Sequence, residues 1–413
     1  MSSPTPNVAE KLESVAAILN DAAKGLRAGA KATPEQHAVL IEALKSTVEL
    51  VNEPRDDISD VMTAFAQGTI IRLFIKWQVF ANIPLDGAIP YKDLAVKVAG
   101  DVALISENIP RSQQARLCWV LVSTGVLRQE GSDQIAHTIR SRAYGHRNPL
   151  QAMMQMGFDE YLPPLLALPR YYETYGIKEP TEKLYTVKAF AEGKPGQSVA
   201  DITLADPERV ATFVLAMDSM ENMYPHDGMY NYSWVAARAG ESPDRALIVD
   251  VGGAQGNALQ AMCKSTPGLP MSRCVLQDLP EVIETVKKIG DEGIKGARLM
   301  SMDFHNEQPV KGALVYHIRR CLHDFGDDES VQILQHLSDA MAPDSRVLIG
   351  EAVMDNPPAR SVALVDFLLS TVGGKERTVD GFREIASRAG LKVRAVHQGK
   401  QRGMSIVECE KEI

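Results

Sequence analysis

The rhythm of apolar and polar positions along this chain changes once, near Arg245. Before that point the spacing is helical. Val8–Leu19 and His37–Val51 repeat Leu, Val, Ile and Ala at intervals of three and four, which predicts two helices separated by a Gly/Lys-rich turn around Gly25–Thr33. Ile58–Phe80 is apolar on most sides, and a helix of that kind is expected to be buried all round, within its own core or against a partner subunit. Tyr91–Val98 and Arg111–Ser123 predict two short helices. Val126–Gln129 and Gln134–Thr138 then predict a hairpin that turns at Glu130–Asp133. Helix, helix, hairpin is the order of a winged helix.

Pro149–Gly240 is also helical, and it concentrates Met153, Met154, Met156, Phe158, Tyr161, Phe213, Met217, Met220, Met223 and Tyr224. Methionine at helical spacing fills irregular cores, and it also suits the wall of an adaptable apolar pocket. From Arg245 onward short apolar runs alternate with amphipathic helices. Ala246–Val251, Arg273–Gln277, Ala297–Ser301, Gly312–Ile318 and Arg346–Ala352 read as strands of a mostly parallel sheet. Leu391–Val396 and Met404–Glu410 add two more, paired antiparallel at one edge. The expected fold class is α/β: a doubly wound, Rossmann-like sheet after an N-terminal helical winged-helix domain. The expected division is 1–150 for that domain and 151–413 for the rest, with 151–240 as a helical cap and 241–413 as the sheet domain.

At 413 residues the chain can build more than one core. Its net charge of -9 opposes general nucleic-acid binding, which needs a basic surface. The second winged-helix segment offers only Arg111 and Arg116 among Leu, Cys and Trp119. Packing and homodimer formation are therefore the expected use of that domain, ahead of DNA binding by a non-catalytic regulator. Cys118, Cys263, Cys274, Cys321 and Cys409 form no C-x-x-C pair and no zinc spacing with His, so reduced thiols, a cytoplasmic setting and no metal are expected. The opening MSSPTPNVAEKLES lacks the basic-then-apolar order of a secretory signal. No apolar stretch reads as long enough to span a membrane.

The first candidate chemistry lies where three successive strands end. Ala246–Val251 runs into Gly252-Gly253-Ala254-Gln255-Gly256-Asn257, and glycines at a strand-to-helix turn allow a ligand close to the backbone at the carboxyl edge of the sheet. Alone this is weak, because several nucleotide sites use such loops. The second strand ends in Gln277-Asp278-Leu279-Pro280, where a carboxylate can accept from both hydroxyls of a ribose. The third ends in Met302-Asp303-Phe304, where a carboxylate can meet an adenine amino group and a ring can stack on the base. Either aspartate by itself would read as a helix N-cap. Together, at consecutive strand ends, they indicate an adenosine ligand.

In these stretches the chain resembles the S-adenosylmethionine-dependent O-methyltransferases of the caffeic-acid type, particularly their fungal secondary-metabolism branch. The resemblance covers the winged-helix segment and nearly all of Arg245–Val407. IVDVGGAQGN, QDLPEVIE, HIRRCLHDFGDD, VLIGEAVM and GGKERT carry it. The glycine pattern departs at Ala254, where that family usually has glycine. The resemblance implies S-adenosyl-L-methionine or S-adenosyl-L-homocysteine as ligand. Gly252 and Gly253 would then line its methionine portion, Asp278 with Leu279 would hold the ribose, and Asp303 with Phe304 the adenine. Arg319 stands where lysine is usual, and the two differ in donor geometry.

The resemblance also implies a chemical centre. A phenol with a pKa of about 10 is a poor nucleophile until its proton is taken, and an imidazole near 6.5 can take it. That step contributes ~10²–10⁴-fold. His323 matches the family's general base, and Glu351 and Glu376 match the acids that orient it. His137 is left between reaching a partner's pocket and simple packing, while His226, His305 and His317 receive no role. The expected function is O-methylation of a hydroxylated aromatic or polyketide-like small molecule. The alternative keeps the fold and the cofactor but uses the sulfonium only as a fixed charge, in a pericyclic or dehydrative step.

Overall fold

The structure, a computed structural model, describes residues 8–29, 33–99, 116–224, 226, 228–399 and 404–412. The chain divides into two compact units, Met1–Gly145 and His146–Ile413.

The first unit opens with α1 (Val8–Arg27) and α2 (Pro34–Val51). α1 continues through Gly25, so the turn begins later than the glycine suggested. α2 starts sharply: Thr33 accepts from the Gln36 N–H while Gln36 accepts from the Thr33 N–H, a reciprocal cap that satisfies two otherwise orphaned donors. α3 (Pro54–Lys76) departs from the expectation of burial all round. Ile70, Ile71, Phe74 and Ile75 are buried, yet Ile58, Val61, Met62 and Phe65 are exposed. By length and composition α3 is also sufficient to cross a membrane, which corrects the reading that no stretch qualifies. Core helices pass the same test, and the last two turns of α3 are core.

The winged-helix part contains α4 (Tyr91–Lys97), α5 (Arg116–Ser123) and the hairpin β2 (Leu127–Glu130) with β3 (Gln134–His137). β1 (Ala88–Pro90) pairs with β3 to make a three-stranded sheet in the order β1-β3-β2, a strand too short to show in the apolar pattern. The expected start of the second helix, 111–115, lies outside the described residues. His137 is buried, with Nδ1 2.9 Å from Ser141 Oγ and Nε2 3.1 Å from the Phe80 carbonyl. Both ring nitrogens thus serve the packing of this unit.

The second unit begins with α6 (Pro149–Met156), a π-helical turn at Gly157–Tyr161, α7 (Leu162–Tyr175) and, further on, α8 (Pro207–Met223). Ala152, Met156 and Ala216 form a small core here, flanked by Met153, Tyr161, Leu215 and Met217. The sheet follows: β4 (Ile248–Val251), β5 (Cys274–Asp278), β6 (Arg298–Ser301), β7 (Val315–Arg319) and β8 (Arg346–Glu351) are parallel. The short β9 (Val353–Met354) and β10 (Arg377–Thr378) pair apart from it. β12 (Ser405–Lys411) lies antiparallel between β8 and β11 (Leu391–Gln398).

The order β11-β12-β8-β7-β4-β5-β6 explains the unbroken apolar runs. Successive residues of a strand face opposite sides. Val249 and Val251 enter a core with Val347, Ile349 and Phe382, whereas Ile248 and Leu348 enter another with Leu259 and Leu276. The helices α9 (Asn257–Ser265), α10 (Pro280–Ile289), α11 (Asp327–Ala340), α12 (Arg360–Ser370) and α13 (Val379–Arg388) connect the strands. From β4 the chain proceeds outward to β5 and β6, then returns to β7 on the other side of β4. Such a reversal opens a crevice beyond the carboxyl ends of the strands.

Candidate active site

The loop after β4 is shaped by close approach. Gly252 has φ +66°, and a Cβ there would lie 2.9 Å from Cys321 Sγ and 3.3 Å from Phe304 Cε1. Gly253 is glycine for a different reason: its Cβ would meet Asp250 Oδ2 at 2.4 Å and Leu276 Cδ1 at 2.5 Å. It permits the loop to fold back onto β4 and β5. Ala254 adopts φ +49°, a left-handed conformation that costs an L-residue roughly 1–2 kcal/mol. Its N–H donates to Asp278 Oδ2 at 2.8 Å, which helps hold it there.

Asp278 therefore ties the tip of β5 to the glycine loop. Its Oδ1 accepts from the Leu279 N–H at 2.8 Å, and each oxygen keeps a lone pair for a further donor. Burial raises its carboxyl above the usual range, against the lowering effect of the two backbone donors. Leu279 is half-exposed immediately before α10. At the tip of β6, Asp303 Oδ1 accepts from the His305 N–H at 3.0 Å and lies 2.8 Å from His305 Nδ1. Against the penalty of burial, these donors hold its carboxyl below the usual range. Phe304 packs toward Gly252 and meets Phe325 edge-on at a centroid distance of 5.9 Å. The three strand tips thus share one crevice.

Arg319, at the end of β7, turns toward the chain beyond α8. It donates to the Tyr224 carbonyl and lies 3.3 Å from His226 Nε2. A guanidinium bonded to a neighbouring carbonyl is anchored within the protein.

The chemical groups come from three separate segments. His323 sits on a 3₁₀ turn, Leu322–Asp324. Its Nδ1 is 3.1 Å from Glu376 Oε1 and 3.6 Å from Glu351 Oε2, and its Nε2 is 3.7 Å from Asp324 Oδ1. Glu351, wholly buried at the end of β8, accepts with Oε1 from the N–H groups of Cys321 and Leu322 at 3.0 and 2.9 Å. Glu376 reaches the ring because its loop passes flush against the turn: a Cβ on Gly374 would lie 2.2 Å from the His323 carbonyl. No described residue donates to Glu351 Oε2 or Glu376 Oε2. Burial opposes a charge on His323, but Glu351, Asp324 and Glu376 outweigh it, and the imidazole is pushed up to about 10. Burial raises the carboxyls of Glu351 and Asp324.

Several residues in this arrangement escaped the sequence reading. Arg377, to which no role was assigned, is buried. It donates to the carbonyls of Leu322 (3.0 Å) and Phe325 (2.9 Å), to Ser330 Oγ and to Asp327 Oδ1. It clamps the turn that carries His323. His317 Nδ1 lies 2.7 Å from Asp250 Oδ1, across adjacent strands at the same register, under the glycine loop. Cys321 is packed beside Gly252, and burial pushes its thiol well up, so it stays protonated. Tyr161, on the π-helical turn, is pushed up to about 12 by burial and then by Asp324, and Arg320 reaches Met217 Sδ at 3.7 Å, which brings α8 up to the turn that carries His323.

The family model for the O-methyltransferase domain matches residues 194–392. Methyltransferase cfoD from Aspergillus candidus is 37% identical over 372 residues, which is 87% of this chain and 89% of that protein. Among solved structures, OxaC in complex with SAH and oxaline aligns with a TM-score of 0.83 at 22% identity, covering 98% of both chains. A pericyclic reaction enzyme aligns with a TM-score of 0.78 at 24% identity, covering 97% of this chain and 100% of its own.

Proposed function

The chain belongs to the S-adenosylmethionine-dependent O-methyltransferase family, and from that premise we propose that it methylates a hydroxyl of an aromatic or polyketide-like small molecule with His323 as general base. The observation that carries this reading is the junction of one imidazole with Glu351 and Glu376 beside the glycine-loop crevice. The crevice suits the cofactor: Gly252 leaves room where a side chain would collide, and Asp278 keeps acceptor capacity on both oxygens. S-adenosylmethionine bound there supplies an electrophilic methyl on a sulfonium. Gly252 and Asp278 with Leu279 would hold it, Asp303 and Phe304 would bind its adenine, and Arg319, bonded to the Tyr224 carbonyl, would fix the chain beside it.

Glu376 accepts from Nδ1 of His323, which leaves Nε2 for the proton of the acceptor hydroxyl. An imidazole pushed up to about 10 carries its proton in the free enzyme at neutral pH. A second cation in the crevice would lower the ring's proton affinity toward the neutral form that a base requires, because like charges disfavour one another. The same three donors lie within 4.8 Å, a spacing a divalent ion can also bridge. Nδ1, the ring nitrogen that faces both carboxylates, is already engaged by Glu376, so a proton site is the better reading.

That charged ring also favours the second reading. An imidazolium donates a hydrogen bond, which suits electrostatic catalysis of a pericyclic or dehydrative step without methyl transfer. The exposed apolar residues Ile58, Val61, Met62 and Phe65 fall on one face of α3 and support a homodimer through the first unit. The chemistry is tested by incubating the protein with cofactor and candidate acceptors, with and without chelator, and weighing the products. A product one CH₂ heavier, one equivalent of demethylated cofactor and indifference to chelator are expected. An isomerised or dehydrated product with intact cofactor overturns methyl transfer.

A further inference from the structure

His305 stands outside the chemistry described so far, yet it binds the tip of β6 twice. Two of its groups converge on one oxygen. Its backbone N–H donates to Asp303 Oδ1 at 3.0 Å, and its ring Nδ1 is 2.8 Å from the same atom. A carboxylate only accepts, so Nδ1 carries the proton. The other oxygen, Oδ2, receives no donor from a described residue.

The ring is fixed from its far side as well. His305 Nε2 approaches Glu329 Oε1, in the first turn of α11, to 2.9 Å. No hydrogen bond joins the two, so the contact is one of packing. Lys183 Nζ donates to the same Glu329 oxygen at 2.8 Å. Phe304 and Phe325 enclose the imidazole, at centroid distances of 4.9 and 5.2 Å. A histidine needed only to cap the strand end would have no use for aromatic rings on two sides.

We propose that His305 is a positioning residue for adenine recognition: packed between Phe304 and Phe325, it occupies Oδ1 of Asp303 and so presents Oδ2, in a single rotamer, to the 6-amino group. The inference rests on the reading of Asp303 as the adenine acceptor. The lowered proton affinity of Asp303 agrees with it, since a protonated carboxyl would lose half its acceptor capacity.

The test measures a ratio of affinities in the full chain by calorimetry, using S-adenosylhomocysteine and its analogue in which hydrogen replaces the 6-amino group. The wild type should prefer the amino-bearing ligand. Asp303→Ala should abolish that preference. His305→Ala should reduce it by about tenfold, the size of one hydrogen bond of moderate strength. His305→Asn, which keeps the backbone donor and offers an amide N–H, should fall between, and it replaces the alanine variant if that fails to fold. A structural role alone would weaken both ligands equally and leave the ratio intact. That result in the His305 variants, with Asp303→Ala still losing the preference, overturns the proposal and spares Asp303. Retention of the preference in Asp303→Ala overturns both.

Discussion

The two ends of the crevice are built on different principles. At the glycine-loop end each carboxylate is held by groups near it in sequence or on the next strand tip: Asp278 by Leu279 and Ala254, Asp303 by His305. At the chemical end His323, Glu351 and Glu376 arrive from a 3₁₀ turn, a strand end and a distant loop, and Arg377 binds the assembly through four contacts. The first end is a property of the sheet edge, and the second depends on long-range closure. Binding and turnover should therefore separate by mutation.

The largest separation is expected for His323→Ala. Turnover should fall by ~10²–10⁴-fold, while calorimetry finds cofactor affinity within about twofold of wild type. A comparable loss of affinity would show that the two ends are not independent. Arg377→Ala probes closure itself. It strips four bonds from a buried cation's partners, so a loss of about 2–4 kcal/mol in urea unfolding is expected. Turnover should drop with it although Arg377 touches no substrate, and retained turnover would refute the clamp. Asp278→Ala works from the other side: cofactor should bind ~10–100-fold more weakly, the size of a charged hydrogen bond or two, with turnover at saturation nearly unchanged.

The smallest effect is in pH. The proton affinity of His323 is raised in the folded chain to about 10 from an ordinary 6.5. Its contribution to stability is therefore complete below about pH 6.5 and lost as pH rises through about 10. The melting-temperature gap between wild type and His323→Ala should shrink steadily across that window. A gap that widens with pH would contradict three carboxylates acting on one imidazole.

The same contrast governs what could be read beforehand. The strand tips announce themselves through local rules: an apolar run, a glycine turn, an acid at its end. The resemblance then supplied His323, Glu351 and Glu376, but not what holds them. Arg377 drew no attention because nothing in Lys375-Glu376-Arg377 tells which cation turns inward. His317 lacked a partner because Asp250 meets it only through parallel pairing of β4 with β7. The first half of α3, apolar in pattern, proved exposed in the single chain.

Sequence alone therefore determined the alternation of strands and helices, the fold class, and the acids at the sheet edge. Those depend on periodicity and near-neighbour geometry, which a linear string carries. Tertiary structure alone decided the tautomer-setting contacts of His323, the clamp by Arg377 and the double hold on Asp303. Each requires knowing which distant groups are desolvated together, and burial of charge is a property of the folded volume.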